Sequence, residues 1–523
     1  MSTKKEKTSP GRSTLNVKPI FVVNRIVAKI TGLNQAMLHR AKLLSEYSGQ
    51  RVSIVCFYYD PRHYSTLQAK LLSEEKINDR VDIINMYEYF KGEDASTVQA
   101  AAAPNYDDYF IEKKRNALRY FLHGNYIKYE KYSEDGLLER ADYFNESRYC
   151  HKSEEYDDKS NIARVQYKDL VSGQTRNEVH HRSDGTIFMT KWYEQNYDAK
   201  TNHLIRINIF DKNGSIKKIV YSEEQLKHYF LDCIVGEQES IVLAEARSID
   251  RLIVNYKNSK AHRVAIIHTT HLESPSNPSS EINTAHKVML SNLEEFDAVV
   301  TLTTKQRQDL EHKIGKQSKL HVIPHANRAR PNINPSGKGD RIVIVARLAK
   351  QKQIDHSIKA MESVVKELPN ATLCIFGDGA DKNNLAQLIH DLHLDKHVFL
   401  KGFSNNPIAE YSQASLSLFT SEYEGFGLVV LESLSQGCPV ISYDIPYGPS
   451  DMITDGKNGY LVEKDNIGML SKKIIEALSD KKKLQQLSKE ATKSVEKFDE
   501  KSFVEKWTKL FNDTQNNKQA KKQ

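Results

Sequence analysis

Strand-like and helix-like segments alternate from residue 341 onward, and this alternation restricts the fold more than any other feature of the chain. Short apolar runs such as "RIVIVAR", "ATLCIFG" and "LSLFTS" predict buried strands. Segments with helical periodicity follow them, at 355–368, 382–394, 406–414 and 428–436. The pattern predicts a parallel sheet with right-handed helical crossovers.

A similar alternation occupies residues 18–94 and 222–326, which we interpret as two parts of a first α/β domain. Residues 95–221 between them are rich in Tyr and Phe and alternate polar with apolar residues, as antiparallel strands do. They predict a β-rich insert with a degenerate hairpin repeat, whose exposed edges favour self-association. Two-residue hairpin loops are predicted at Asp135-Gly136, Asp184-Gly185 and Asn213-Gly214.

The remaining segments complete the predicted organisation. Residues 1–17 predict a disordered arm, 327–340 a linker rich in Pro, Gly and Asn, and 514–523 a disordered tail. The second α/β domain then covers 341–513. Because ligands of open parallel sheets bind beyond the carboxyl ends of the strands, two such domains predict a binding cleft between them.

Composition restricts the cellular setting. No apolar run is long enough to span a membrane, and no apolar segment follows the basic N-terminus, so neither a membrane span nor a secretory signal is predicted. Five scattered cysteines without metal-binding spacing favour the cytoplasm. The net charge of +7 is compatible with an ordinary solvated surface, or with attraction to an anionic polymer or to the inner face of the membrane.

Two glutamates, Glu424 and Glu432, flank a glycine turn that opens a predicted helix. Glu432 lies in an apolar helical run, where a carboxylate is unfavourable unless it has a partner. The turn Gly425-Phe426-Gly427 leads into a helix N-terminus, where backbone N–H groups bind anions. Carboxylates and an anion site in one segment predict a pocket for a nucleotide-sugar.

Cations follow the first strand of the second domain. Arg347 and Lys352 are suited to neutralising a diphosphate leaving group, and a solvated loop is the alternative interpretation. Gly377-Asp378-Gly379 follows the next strand and is either a ligand contact or a tight turn, because the full dinucleotide motif is missing.

Two residues of the first domain are also candidates. His268 ends the strand "RVAIIH" near His271, which is consistent with a catalytic or a structural role; a zinc site is disfavoured because no further ligands are suitably spaced. Gly32 opens the first helix, where it either admits a phosphate or forms an ordinary turn.

These residues together resemble the retaining glycosyltransferases of family 4, which have the GT-B fold: α/β, with two Rossmann-like domains facing a cleft. The segment 443–463 and the β-rich antiparallel insert in the first domain resemble bacterial wall-teichoic-acid α-glycosyltransferases. The resemblance implies transfer of glucose or N-acetylglucosamine from a UDP-sugar onto poly(glycerol phosphate) or poly(ribitol phosphate). It also implies that no metal or other cofactor is needed, and that the insert forms a trimer.

The resemblance implies a role for each site residue. Arg347 and Lys352 would hold the diphosphate, Glu424 the transferred sugar, and Glu432 the ribose hydroxyls. Backbone N–H groups would bind sugar hydroxyls and phosphate, and these belong to Gly425, Phe426, Gly427, Leu428 and Val429.

In the first domain, the resemblance implies that His268 would contact the donor sugar and that Gly32 would admit the diphosphate. The chain departs from the family pattern at three places. Thr31-Gly32 replaces a double glycine, "HAN" follows "HVIP" where Asn-Gly is commoner, and Gln353 replaces a frequent glycine.

Three other functions compete with this one. A protein Ser/Thr O-glycosyltransferase using UDP-N-acetylglucosamine fits the same residues, and so does a non-catalytic polymer-binding subunit that has kept the fold. The complete set of Arg347, Lys352, Glu424 and Glu432 argues against the non-catalytic subunit. A nicotinamide-dependent oxidoreductase is disfavoured by the incomplete glycine motif.

Overall fold

The computed structural model describes residues 15–27, 32–92, 108–196, 201–275, 277–328 and 339–520. The predicted arm therefore lies outside the described residues except for 15–17. Most of the predicted linker, residues 329–338, also lies outside them.

The elements are as follows, in chain order. The first part of the first domain contains β1 (Lys18–Val23), α1 (Gly32–Ser48), β2 (Val52–Cys56), α2 (Tyr64–Ser73), β3 (Val81–Asn85) and α3 (Met86–Lys91). The insert contains β4 (Tyr109–Lys114), β5 (Ala117–Leu122), β6 (Asn125–Tyr132), β7 (Leu138–Phe144), β8 (Cys150–Tyr156), β9 (Ile162–Lys168), β10 (Thr175–His181), β11 (Ile187–Asn196), β12 (Thr201–Phe210) and β13 (Ile216–Val220).

The first domain then resumes with α4 (Glu223–Val235), β14 (Ser240–Ala244), α5 (Asp250–Asn255), β15 (Ala261–Ile266), α6 (Thr284–Leu290), β16 (Ala298–Thr301), α7 (Thr304–Ile314) and β17 (Leu320–Val322). The second domain contains β18 (Arg341–Val345), α8 (Ile354–Glu367), β19 (Thr372–Phe376), α9 (Lys382–Asp391), β20 (Val398–Gly402), α10 (Pro407–Ser412), β21 (Leu416–Phe419), α11 (Leu428–Ser435), β22 (Val440–Tyr443), α12 (Pro449–Met452), β23 (Gly459–Val462), α13 (Ile467–Ser479), α14 (Lys481–Ser494) and α15 (Glu500–Ala520).

Two parallel sheets form the α/β domains, as the sequence predicted. The first has the strand order β17-β16-β15-β14-β1-β2-β3, so strands from both sides of the insert share one sheet. The second has the order β20-β19-β18-β21-β22-β23. Central strands such as β2 and β14 are buried along their whole length. Helices cover both faces of such sheets, which is why these strands are continuous apolar runs in the sequence.

The insert is a ten-stranded antiparallel sheet in which each strand pairs with the next along the chain. The prediction of two-residue hairpin loops is wrong. Five loops instead share a longer, five-residue form. In each, the N–H of the first residue donates to the carbonyl of the fifth, and the N–H of the fourth donates to the carbonyl of the first. These loops span 133–137, 145–149, 157–161, 182–186 and 211–215.

The fourth residue of each of these loops has a positive φ, and it is glycine at 136, 185 and 214. The glycine of each Asp-Gly or Asn-Gly pair therefore ends a three-residue loop and forms a bulge. The first three loops begin at 133, 145 and 157, so the same hairpin unit recurs at a constant spacing. Of these three evenly spaced loops, only the first contains one of the Asp-Gly or Asn-Gly pairs on which the predicted repeat rested.

Arg182 joins the insert to the first domain. Its guanidinium donates to the carbonyl oxygens of Lys91 in α3 (3.1 Å), Ile187 (2.7 Å) and Phe210 (2.9 Å). Apolar residues of the insert, including Met189 and Ile207, also lie in the core of the first domain. The insert is therefore anchored at its β10–β13 end.

The last helix, α15, returns from the second domain to the first. It packs against α1, and Gln515 donates to Glu239 next to β14 (2.7 Å). The prediction of a disordered tail from residue 514 is wrong as far as Ala520, because the helix continues to that residue. Within the described ranges, no helix combines the length and the apolar character needed to cross a bilayer.

Replacing Arg182 should loosen the insert. Arg182→Met leaves three partly buried carbonyl groups without this donor, so we expect it to destabilise the protein by about 2 kcal/mol. Arg176→Met is the matched control, because the Arg176 side chain is 63% exposed and its loss should change stability by less than about 0.5 kcal/mol. Thermal and denaturant unfolding of both variants measure the difference. Equal stability of the two would contradict the anchoring role.

Candidate functional site

The candidate residues lie where the strands of the two parallel sheets end. Glu245 follows β14 and His268 follows β15 in the first domain. Arg347 follows β18, and Glu424 lies in the turn between β21 and α11. The two sheets thus direct their carboxyl ends at one cleft, as the sequence predicted.

The glycine turn of the second domain touches the first domain directly. A Cβ atom on Gly425 would overlap the carbonyl group of His268, so only glycine fits there. Gly427 has φ +85° and is the N-cap of α11, a left-handed conformation that glycine adopts without strain. Leu428 and Val429 form the first turn of this helix, so their N–H groups are among those without a partner inside it.

Lys352 and Glu424 form an ion pair across two loops of the second domain. Both side chains are largely buried, at 18% and 17% exposure. The loops are held together by two further hydrogen bonds: Gln351 Nε2 donates to the Tyr423 carbonyl, and Glu422 N–H donates to the Gln351 carbonyl, both at 2.8 Å. The structure therefore brings the residue predicted to bind phosphate, Lys352, into contact with the residue predicted to hold the sugar, Glu424.

Arg347 is exposed at the mouth of this site. Its loop is supported from below by the Gly377–Gly379 segment, where Leu348 N–H donates to the Asp378 carbonyl at 3.0 Å. A Cβ atom on Gly377 or Gly379 would overlap the backbone of residues 346 and 348. These glycines therefore allow the loops that follow β18 and β19 to pack together. Of the two interpretations of Gly377-Asp378-Gly379, this packing favours the tight turn.

Gln353 explains one departure from the family pattern. It has φ +44° and ψ +43°, the left-handed region, where glycine is favoured. Thr420 Oγ1 donates to the carbonyls of Lys352 (3.1 Å) and Gln353 (3.0 Å), and Gln353 Nε2 donates to Asp465 (2.9 Å). These bonds hold a non-glycine residue in a conformation that is otherwise unfavourable.

Glu432 is 3% exposed and is paired with Arg328, at the start of the interdomain segment. The sequence predicted the buried carboxylate but not its partner. Burial lowers the pKa of the Arg328 guanidinium to about 10. The residue predicted to bind ribose is therefore already paired with a cation.

His268 forms a hydrogen bond with the buried side chain of Glu245. The His268 Nε2 atom lies 3.0 Å from Glu245 Oε2, and Glu245 also pairs with Arg40 of α1. The His268 ring stacks on His325 at 5.7 Å between centroids, and His325 meets Phe426 edge-on at 5.3 Å. Burial lowers the pKa of His268, against the opposing effect of Glu245. The imidazole is therefore neutral near pH 7.

Tyr447 provides a second contact between the domains. Its hydroxyl donates to Asp309 Oδ2 of α7 at 3.0 Å, and its ring stacks on His271 at 5.9 Å. His271 is buried, and burial lowers its pKa to about 4. His271 thus lies at the domain interface, where it packs against Tyr447.

Gly32 is exposed at the start of α1, with φ +52° and open space where a side chain would project. The same helix carries Arg40, which contacts Glu245 behind His268. The helix that Gly32 opens therefore also supplies Arg40, which contacts a first-domain residue next to the cleft.

Sequence reasoning missed Arg40, Glu245 and Arg328. A signal existed for two of them. Arg40 lies on the apolar face of α1, three residues after Met37 and four before Leu44, and Glu245 directly follows a buried strand. Arg328 belongs to a polar segment without periodicity, where no pattern distinguishes it.

Comparison with known proteins agrees with the predicted class of enzyme. The family described as "Glycosyl transferases group 1" matches residues 326–494. The chain is 30% identical to the poly(glycerol-phosphate) alpha-glucosyltransferase of Bacillus subtilis over 96% of its own length and 76% of that protein's. It is 26% identical to the poly(ribitol-phosphate) alpha-N-acetylglucosaminyltransferase of Staphylococcus aureus, over 95% of this chain and all of that protein.

The fold is also similar to that of a solved structure. This is the crystal structure of a mutant of S. aureus TarM in complex with fondaparinux, alpha-GlcNAc-glycerol and UDP, with a TM-score of 0.84 and 23% identity. It covers 95% of this chain and all of the TarM chain. The likeness confirms the predicted GT-B fold with its antiparallel insert. Identity over nearly the whole chain, the matched domain and the fold agree, and the chain therefore belongs to the group 1 glycosyltransferases.

Proposed function

We propose that this protein is a retaining, family 4 glycosyltransferase that moves glucose or N-acetylglucosamine from a UDP-sugar onto wall teichoic acid. The acceptor is poly(glycerol phosphate) or poly(ribitol phosphate). The observation that carries the proposal is the pairing of Lys352 with Glu424 beside the N-terminus of α11. A cation, a carboxylate and the N–H groups of a helix N-terminus then meet at one point, which suits a sugar diphosphate. The names of the two relatives support the acceptor.

Each group of the site has a task in this reaction. Arg347, Lys352 and the first turn of α11 bind the diphosphate and stabilise the charge that develops as UDP leaves. Glu424 accepts hydrogen bonds from the transferred sugar, and Glu432 accepts them from the ribose. The phosphate competes with Glu424 for Lys352, so donor binding redistributes an existing ion pair and does not have to create a buried charge.

The proposed step breaks one bond and forms another on the same face of the sugar. The bond between the anomeric carbon and the UDP oxygen breaks, and the acceptor hydroxyl attacks from the side on which UDP departs. The acceptor proton passes to the leaving phosphate oxygen, which serves as the base. In this scheme the cations neutralise the leaving group, so we propose that no metal or other cofactor is needed.

Charge and cysteine chemistry support the proposed acceptor and location. A chain with a net charge of +7 attracts an anionic polymer, and also the anionic inner face of the membrane, where we propose peripheral contact. All five cysteines are unpaired in the structure, which fits a reducing cytoplasm.

Glu424→Gln tests the site assignment. The variant keeps the shape of the side chain but loses the charge that orients the sugar and pairs with Lys352, so we expect kcat to fall about a hundredfold. Glu422→Gln is the matched control, because that side chain is 43% exposed two residues earlier. UDP release is measured with a panel of UDP-sugars and each polymer, with and without a chelator. Full activity of Glu424→Gln would contradict the assignment.

The same assay separates the alternative functions. We expect UDP release only when poly(glycerol phosphate) or poly(ribitol phosphate) is present. Release with a Ser/Thr-rich peptide but with neither polymer would instead support the protein O-glycosyltransferase. No release with any donor and acceptor would favour the non-catalytic subunit.

We propose further that the insert forms a trimer. Four aromatic rings run side by side at the far end of the sheet, Phe110, Phe121, Tyr126 and Phe144, with centroids 5.8, 5.3 and 4.6 Å apart in that order. Phe110 is 68% exposed and lies on the edge strand β4. A partly exposed aromatic row that ends in an exposed ring at a sheet edge favours association with another chain.

A point substitution in this row tests the trimer. Phe110→Asp places a charge in the proposed interface, and we expect the molar mass to fall from three chains to one. Val171→Asp is the matched control, because Val171 is 84% exposed in another loop of the insert. Light scattering coupled to size exclusion gives the masses. A monomeric wild type, or a trimer that Phe110→Asp leaves unchanged, would contradict the proposal.

A further inference from the structure

Three charged or titratable side chains form a row behind the site. Arg40 of α1 pairs with Glu245 Oε1, and the other carboxylate oxygen of Glu245 lies 3.0 Å from His268 Nε2. Arg40 and Glu245 are completely buried. His268 keeps 12% of its side chain exposed. The row therefore leads from the interior of the first domain to the cleft.

Stability does not account for this arrangement. A buried ion pair loses the hydration of both charges, and an apolar pair of similar volume is often at least as stable. The Arg40 guanidinium lies between two rings, 5.1 Å from Phe21 and 4.8 Å from Trp507 of α15. Its Nε and Nη1 atoms have no hydrogen-bond partner among the described residues. Among the residues that the structure describes, the guanidinium therefore donates to Glu245 alone.

We propose that Glu245 is a positioning residue that fixes the tautomer of His268, and that Arg40 holds Glu245 in place. With its proton on Nε2, His268 presents Nδ1 to the cleft as a hydrogen-bond acceptor for a hydroxyl of the donor sugar. This rests on the proposed function, in which His268 contacts that sugar.

The chemistry of the three groups allows one assignment of protons. An ionised carboxylate only accepts hydrogen bonds, so His268 Nε2 must donate to Glu245. In a neutral imidazole the second nitrogen is then an acceptor. Burial alone would raise the pKa of Glu245, but Arg40 and His268 outweigh it and hold this pKa below its ordinary value. The carboxylate therefore remains ionised.

Glu245→Gln should invert the tautomer. The Arg40 guanidinium can only donate, so the amide oxygen of the glutamine must face it. The amide N–H₂ then faces His268 and donates to Nε2, which moves the imidazole proton to Nδ1. The cleft now meets a donor in place of an acceptor, and a sugar hydroxyl that already accepts from a backbone N–H group of the glycine turn can no longer donate to His268. The shape of the side chain at position 245 is unchanged.

The test compares binding of UDP with turnover of the UDP-sugar. In Glu245→Gln we expect kcat/KM for the donor to fall about tenfold, the effect of one lost hydrogen bond to the sugar. UDP lacks the transferred sugar that His268 is proposed to contact, so its Kd should stay within about twofold of wild type. Glu237→Gln, exposed ahead of β14, is the control and should match wild type. A parallel loss of UDP affinity would indicate a merely structural role and overturn the proposal.

A double-mutant cycle with His268→Ala shows whether Glu245 acts through His268. We expect Glu245→Gln to change kcat/KM by less than about twofold in the His268→Ala background. An undiminished effect there, or no effect in wild type, would overturn the proposal. If Glu245→Gln does not fold, Arg40→Met/Glu245→Leu removes both charges together, and it should keep its Tm while kcat/KM for the donor falls about tenfold. A wild type that turns over no UDP-sugar would instead reject the proposed function.

Discussion

The close contact between Gly425 and the His268 carbonyl is the constraint on which the site depends. Here the backbone of the second domain touches the strand end of the first, and there is no room for a side chain between them. Because the contact is made by backbone atoms, it fixes the distance between the two sheets at that point. It also brings the glycine turn that precedes α11 against the end of β15, next to His268.

Each of the two site carboxylates is paired with a cation. Lys352 neutralises Glu424, and Arg328 neutralises Glu432. A buried carboxylate without a partner would be strongly unfavourable, so these cations allow the carboxylates to remain in a closed cleft. In the proposed reaction, phosphates of the donor replace the carboxylates as partners of the cations, and hydroxyls of the donor replace the cations as partners of the carboxylates. Specificity would then follow from how well a ligand satisfies both members of each pair.

Much of the scaffold could be predicted from the sequence because its elements have strong periodic signals. The sequence predicted that Gly32 opens the first helix, and α1 begins at that residue and spans Gly32–Ser48. The buried state of Glu432 was also predictable, since apolar residues surround it in the helix. The loop length of the insert was not, because Asp-Gly suits both a two-residue turn and the end of a three-residue loop.

The partners of the site residues could not be predicted, because they come from distant segments. Arg328 and Glu432 are far apart in sequence, and so are Arg40 and Glu245, so only the folded chain brings them together. Backbone contact at Gly425 assembles the site from these distant segments. Gly425→Ala should force the domains apart, so we expect transfer to fall about a hundredfold while UDP affinity is retained. Transfer by Gly425→Ala at the wild-type rate would contradict the account.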